Sequence, residues 1–356
     1  MLYYTIMKAK RITILCTLGV LLAAGTGGCN STPLRMEERA MVPENQAGKQ
    51  IITRRAAALR KVLSPLRVRG AGINLSSYNH HQLPAPEIMK LVKELGFNRI
   101  YCGISSESEL SEKLVQLLSA AAAEKIPVEL TIRQGDFKHR FRGNALVRCF
   151  LPQFRQLPDL AEEIVNFNDS LPAGAKLAGV TVRFEPHLFT HANGAAEIPG
   201  LYYLWSSSSF GKGLDNDKLV ELSMEQLKKM KAKLKNLPLS IELPDLYPAW
   251  VREGKLSKGS VRDLAAIGKV MLQCSGNQPS QLVTRSAAAM KEGKNMVAVI
   301  PVAGHTSVNS GALRRRDWND LVRALGYFVN STRKQNCSGV IIRPLSELGY
   351  MLLEQD

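Results

Sequence analysis

From Val68 onward, short apolar runs alternate with longer stretches in which apolar residues recur every three or four positions. The short runs lie near 70–76 (GAGINLS), 98–104 (NRIYCGI), 126–133 (IPVELTIR) and 177–185 (LAGVTVRFE). Four more lie near 238–243 (PLSIEL), 269–275 (KVMLQCS), 296–303 (MVAVIPVA) and 338–343 (SGVIIR). Their lengths predict strands. Between them, 86–95, 109–124, 158–168, 217–235, 280–292 and 317–334 predict helices. In PEIMKLVKELGF, for example, Ile88, Leu91, Val92 and Leu95 share one face. Strands separated by helices pair in parallel, and eight of them predict an α/β fold closed as a (β/α)8 TIM barrel over 68–356. A doubly wound open sheet is the competing solution. In a barrel, active sites lie where the strands end.

Ahead of the barrel the pattern changes. Lys8, Lys10 and Arg11 precede the apolar run Ile12 to Ala24, and Gly27 and Gly28 then lead to Cys29. The run is shorter than the roughly 20 residues of a membrane span, which predicts a signal peptide over 1–28. A cysteine at that point predicts lipidation of Cys29, although Thr26 stands where such processing sites usually carry leucine. Residues 29–67 read as a lipid-anchored tether, polar at first and ending in a short basic helix over 53–63. The expected address is the cell envelope, on the periplasmic or outer-membrane face.

Composition narrows the partners. A hydrophobic fraction of 45% is that of a globular chain, and the formal net charge is +16. In an exported protein such a charge points away from nucleic acid and towards an anionic glycan, lipid headgroups or another envelope polymer. Cys102, Cys149, Cys274 and Cys337 have no CxxC spacing, which excludes a zinc knuckle and leaves open whether any of them pair. No GxGxxG follows the first strand, and there is no GKS, GKT or GxSxG. Nicotinamide, nucleoside-triphosphate and serine-hydrolase chemistry are therefore disfavoured, and no cofactor is implied.

Chemistry-bearing residues gather after the strands. His80 and His81 follow the first, His139 the third, His187 and His191 the fourth, and His305 the seventh. Pro186 and Asn193-Gly194 break any helix that would align His187 with His191, so no metal site is expected. Trp205, Trp250, Trp318, Tyr202, Tyr203, Phe210 and Tyr247 also fall after strands. Aromatic faces there suit sugar rings, or else form the small cores of long loops. Strand alternation puts Arg183 with Glu185, and Glu129 with Thr131 and Arg133, on common sides. If those sides face the axis, Glu129, Arg133, Arg183, Glu185, Glu242 and Arg343 form an ion-paired interior, which is either a structural network or a site.

The run Gly179-Val180-Thr181-Val182-Arg183-Phe184-Glu185 resembles the fourth strand of chitinase-type glycoside hydrolases (family eighteen), where glycine leads through aspartates to an acid glutamate. Leu239-Ser240-Ile241-Glu242-Leu243-Pro244 is similar to that family's fifth strand, and Val270-Met271-Leu272-Gln273-Cys274 to its sixth. Ile300-Pro301-Val302-Ala303-Gly304 resembles its seventh and Gly339-Val340-Ile341-Ile342-Arg343 its eighth, so the likeness spans roughly 177–345. The chain is similar too to uncharacterised bacterial lipoprotein barrels that share this plan. The resemblance implies that Glu185 stands at the acid's position. Thr181 and Arg183 replace the family's aspartates, however, and Arg343 replaces the tryptophan that ends its last strand. Arginine accepts no hydrogen bond, and a guanidinium beside Glu185 holds it ionised, the wrong state for a general acid.

These residues predict a cell-envelope lipoprotein whose glycoside-hydrolase-like barrel binds glycan, with the chitinase reaction disfavoured. The enzyme alternative is a glycosidase with Glu185 and Glu242 as its carboxylate pair. The third class is a structural or assembly lipoprotein. The expected substrate-binding set is Arg133, Asp136, Arg183, Trp205, Asp245, Tyr247, Trp250, His305 and Arg343.

Overall fold

The computed structural model describes residues 46–75, 84–104, 109–132, 139–141, 145–147, 150–186, 214–303, 312–315 and 317–353. The strands are β1 (Val68–Asn74), β2 (Arg99–Ile104), β3 (Val128–Ile132) and β4 (Gly179–Arg183), then β5 (Leu239–Pro244), β6 (Lys269–Gln273), β7 (Met296–Ala303) and β8 (Cys337–Arg343). Each pairs in parallel with its neighbour in chain order. β8 pairs with β1, from Val68 opposite Gly339 to Ala71 opposite Ile342, and closes the ring. A closed ring is the (β/α)8 barrel, and it excludes the open sheet.

The helices are α1 (Gln46–Leu63), α2 (Ala85–Glu94), α3 (Glu112–Ala123), α4 (Phe150–Ser170) and α5 (Leu214–Lys233). They continue as α6 (Leu246–Arg252), α7 (Val261–Ala265), α8 (Pro279–Glu292), α9 (Trp318–Thr332) and α10 (Leu345–Leu353). Local chemistry sets several ends. Gly96, at φ +81°, turns the chain just beyond α2, a conformation other residues rarely adopt. Ser260 and Asp263 form a reciprocal capping box on α7. The Asp317 carboxylate accepts the Asp320 N–H at 2.8 Å at the start of α9.

Alternation along the strands sorts the core into two clusters. Outward residues such as Ile100, Leu130, Val182, Ile241, Leu272 and Ile342 pack under the helices. Inward, Tyr101, Met271, Val297, Val299 and Ile341 form a separate cluster within the ring. β1 makes room for large neighbours by carrying glycines inward. A Cβ on Gly70 would stand 2.6 Å from the Tyr101 ring, and one on Gly72 would stand 2.5 Å from Cβ of Arg343.

Three elements differ from the sequence expectation. The basic helix starts at Gln46 and belongs to the barrel's outer layer. Ala56, Leu59 and Leu63 are buried, Arg55 Nη1 donates to the Leu352 carbonyl at 3.0 Å, and Trp318 Nε1 donates to the Arg55 carbonyl at 3.0 Å. The tether reading to residue 67 is therefore corrected, because this apolar stripe is paired. α4 begins at Phe150 and holds Pro158 inside it. A short antiparallel hairpin, His139–Phe141 with Ala145–Val147, follows β3 and contains His139. Cys102, Cys274 and Cys337 are buried free thiols, and burial pushes Cys102 up to about 12.

Candidate functional site

Arg183 ends β4, Glu242 lies in β5 and Arg343 ends β8, all on inward positions of their strands. Arg343 reaches across the ring to Glu242. Its Nη1 donates to Oε2 at 2.7 Å and its Nη2 to Oε1 at 2.5 Å, a bidentate pair. Arg183 Nε lies 3.3 Å from the same Glu242 carboxylate, while its Nη2 donates to Glu185 and lies 3.4 Å from Gln273 Oε1. Two guanidiniums and two carboxylates thus balance in charge. The Glu242 and Glu185 side chains are 2% and 4% exposed, against 11% for Arg183 and 19% for Arg343. The carboxylates are the inner partners and the guanidiniums the outer ones. Burial pulls Arg343 below the usual guanidinium range, and Glu242 opposes that pull.

Glu129 belongs to a different set. It pairs with Arg99, at the start of β2, and accepts the Thr181 hydroxyl at 3.1 Å. Arg99 was absent from the sequence-based set, although alternation on β2 puts it on the side of Tyr101. Among the described residues the interior ion pairs expected as one network fall into two sets, Arg99 with Glu129, and Arg183 and Arg343 with Glu185 and Glu242.

At the mouth is a cavity of about 350 Å³. Met271, Val299 and Ile341 supply an apolar wall, from β6, β7 and β8. Thr131, Arg183 and Glu242 supply a polar wall, from β3, β4 and β5, and Gly72 and Tyr101 complete the ring. Gln273 and Ser275 line it too, and sequence reasoning passed over both. Parity was the usable signal for Gln273, which alternates with the inward Met271 on β6.

Of the expected binding residues, Arg183 and Arg343 line this cavity, as does Glu242 from the expected catalytic pair. Glu185 does not line it, being held by Arg183. Tyr247 is corrected to a core residue. It is fully buried, with its ring 5.2 Å from Phe184 and 5.6 Å from Trp250, because the first turn of α6 points it inward. Trp250 is half-buried against the same core and is no part of the cavity wall. Asp245 is likewise buried behind the wall, where it accepts the Ser275 N–H at 3.1 Å. Burial raises it to about 6, against the opposing pull of that N–H and of Arg285. Arg133, Asp136, Trp205 and His305 lie outside the described residues, as does Cys29.

Both carboxylates of the expected catalytic pair, Glu185 and Glu242, are ion-paired to guanidiniums. The described residues contain no cluster of three or more His, Cys, Asp or Glu side chains able to hold a metal ion.

No protein-family model and no curated protein matches the chain. Solved structures do. A family 5 glycoside hydrolase from Prevotella bryantii is 7% identical, with a TM-score of 0.46 over 82% of this chain and 95% of that one. A psychrophilic family 10 endo-β-1,4-xylanase is 12% identical, with a TM-score of 0.45 over 80% and 88%. The carboxyl transferase domain of Rhizobium etli pyruvate carboxylase is 8% identical, with a TM-score of 0.39 over 79% and 41%.

Proposed function

We propose that the chain is a cell-envelope lipoprotein whose barrel mouth binds an anionic glycan without hydrolysing it. The observation that carries this reading is the Arg343–Glu242–Arg183–Glu185 chain, in which both carboxylates are enclosed by guanidiniums. The pair with Glu242 leaves three of the five N–H donors of the Arg343 guanidinium for other partners. Donors of that kind match the carboxylate of an acidic sugar, while the apolar wall suits the C–H face of its ring. Attachment through Cys29 would keep the mouth at a membrane surface, close to envelope polymers.

Calorimetric titration of the full chain with acidic and neutral oligosaccharides across a salt series tests the reading, with a parallel assay for released reducing ends. Binding should favour the acidic glycans and weaken as salt rises, with no reducing ends released. Equal, salt-independent binding of neutral and acidic glycans overturns the anionic preference, and steady turnover overturns the non-hydrolytic reading.

A further inference from the structure

We propose that the end of the barrel opposite the mouth is a docking face for an anionic bilayer surface, so that a membrane-bound barrel turns its mouth away from the lipid. This rests on the envelope reading above for access to a membrane and is independent of what the mouth binds.

The face is built by the eight connections that run from a helix into the next strand, and all of them lie within the described residues. Because the strands are parallel, these connections share one end of the barrel. They carry Arg67, Lys125, Lys235, Lys294, Arg333 and Lys334, all exposed. Lys269 joins them, exposed at the first position of β6. Among the described residues none of these side chains is in an ion pair. Lys176, the remaining base, is taken up by the end of α4, donating to the Asn168 and Asp169 carbonyls at 2.6 and 3.0 Å. Acids are fewer here. Glu124, Glu129 and Glu292 are paired with Lys93, Arg99 and Arg252, which leaves Glu94 and Asp169 in the last turns of α2 and α4.

These charges are not placed for stability. Lys125 and Lys235 have φ of +55° and +54°, the left-handed conformation that glycine or asparagine usually supplies where a helix ends. Asn295 and Asn336 supply it before β7 and β8. A lysine there is strained relative to glycine, and neither ammonium gains an ion pair in return. The cations also oppose one another across the end. Partial burial pulls Lys269 below the usual lysine range, Glu129 opposes that pull, and Arg99 and Arg67 add to it.

Their distribution favours a bilayer over a polymer strand. The cations precede β1, β3, β5, β7 and β8 and open β6, so they spread round the end rather than along one line. A polybasic surface of that kind is held by anionic lipid. Against the same end lies an open groove of about 640 Å³. Lys228, Lys231 and Lys235, on one side of α5 and the turn beyond it, line the groove with Leu237, Pro238 and Ile267. Ammonium groups beside apolar side chains match a lipid phosphate and the hydrocarbon that follows it.

The test is co-sedimentation of the full chain with phosphatidylcholine vesicles, with and without phosphatidylglycerol, at low salt. The quantity read is the ratio of the two affinities, in which any contribution of the apolar run Ile12 to Ala24 cancels. One variant, Lys125→Gln/Lys235→Gln/Lys294→Gln, removes three charges from the face. Another, Arg54→Gln/Lys90→Gln/Arg323→Gln, removes three from the middle of α1, α2 and α9. Each cation close to an anionic bilayer strengthens binding about fivefold, so the first variant should lose about a hundredfold of the parent's preference for phosphatidylglycerol. Its Tm should not fall, and the second variant should keep most of the preference. Equal losses in the two variants would assign the effect to net charge and overturn the docking face. So would a parent without preference, or a first variant without loss. If the parent ignores both vesicles and binds a soluble polyuronide through the same three lysines, the partner is a polymer and the bilayer assignment is wrong. The vesicles supply the membrane, so none of these outcomes depends on lipidation of Cys29, which acyl labelling decides separately.

Discussion

A buried guanidinium needs its counter-charge, and at Arg183 that need is met twice. Glu185 takes its Nη2, and Glu242 lies 3.3 Å from its Nε. Breaking a buried pair from one side costs about 3–5 kcal/mol, because the remaining charge stays desolvated. Glu242 remains beside Arg183, so Glu185→Gln is expected at the lower end, about 3 kcal/mol in denaturant unfolding. An unchanged midpoint would show that Glu185 is not part of the structural network. Asp245 gives the opposite sign. Its carboxyl is raised to about 6 in the folded chain, above the ordinary 3.8, so its contribution to stability is complete below about 3.8 and is lost as pH rises through about 6. A difference of that size between the folded and unfolded chain is worth about 3 kcal/mol. Asp245→Asn should therefore flatten the stability profile between those values and be more stable than the parent at pH about 8. Parallel profiles for the two proteins would rule out Asp245 as the source.

At the scale of elements, the eight strands were legible because each is a short apolar run bounded by helical spacing, and their order in the ring follows their order in the chain. Helices α6 and α7 escaped because five to seven residues are too few for a periodicity to show. That omission misplaced Tyr247, since a residue taken for a loop aromatic is in fact pinned inward by a helical turn. α1 was legible only in part, because its charges suggest a solvent-facing helix while its buried stripe depends on α9 and α10 for a partner. The site divides in the same way. Strand parity put Arg183 on one side with Glu185, and Glu242 and Arg343 joined them only on the condition that such sides face the axis. The choice of carboxylate for each guanidinium was not local information. Arg343 meets Glu242 across 101 positions of sequence, through a reach that Gly72 permits by lacking a side chain.

For the whole molecule, the proposed envelope address raises the matter of what would hold so basic a chain at a membrane surface. The formal charge of +16 favours an anionic membrane or polymer surface by itself, at about 1 kcal/mol for each Lys or Arg close to it. That attraction is screened over about 8 Å at physiological ionic strength, so charge alone gives an association that salt reverses. Lipidation at Cys29 would add an anchor that salt does not reverse, and the two contributions separate in one experiment. The parent should incorporate labelled acyl chains and stay with membranes through a high-salt wash. Cys29→Ser should lose the label entirely yet keep a weak association at low salt, which the same wash removes. Among the described residues no helix is long and apolar enough to cross a membrane, so none of them offers an alternative helical anchor. If Cys29→Ser still carries the label, or still resists the wash, the membrane attachment is not through Cys29, and the lipoprotein reading of the N-terminal segment is wrong.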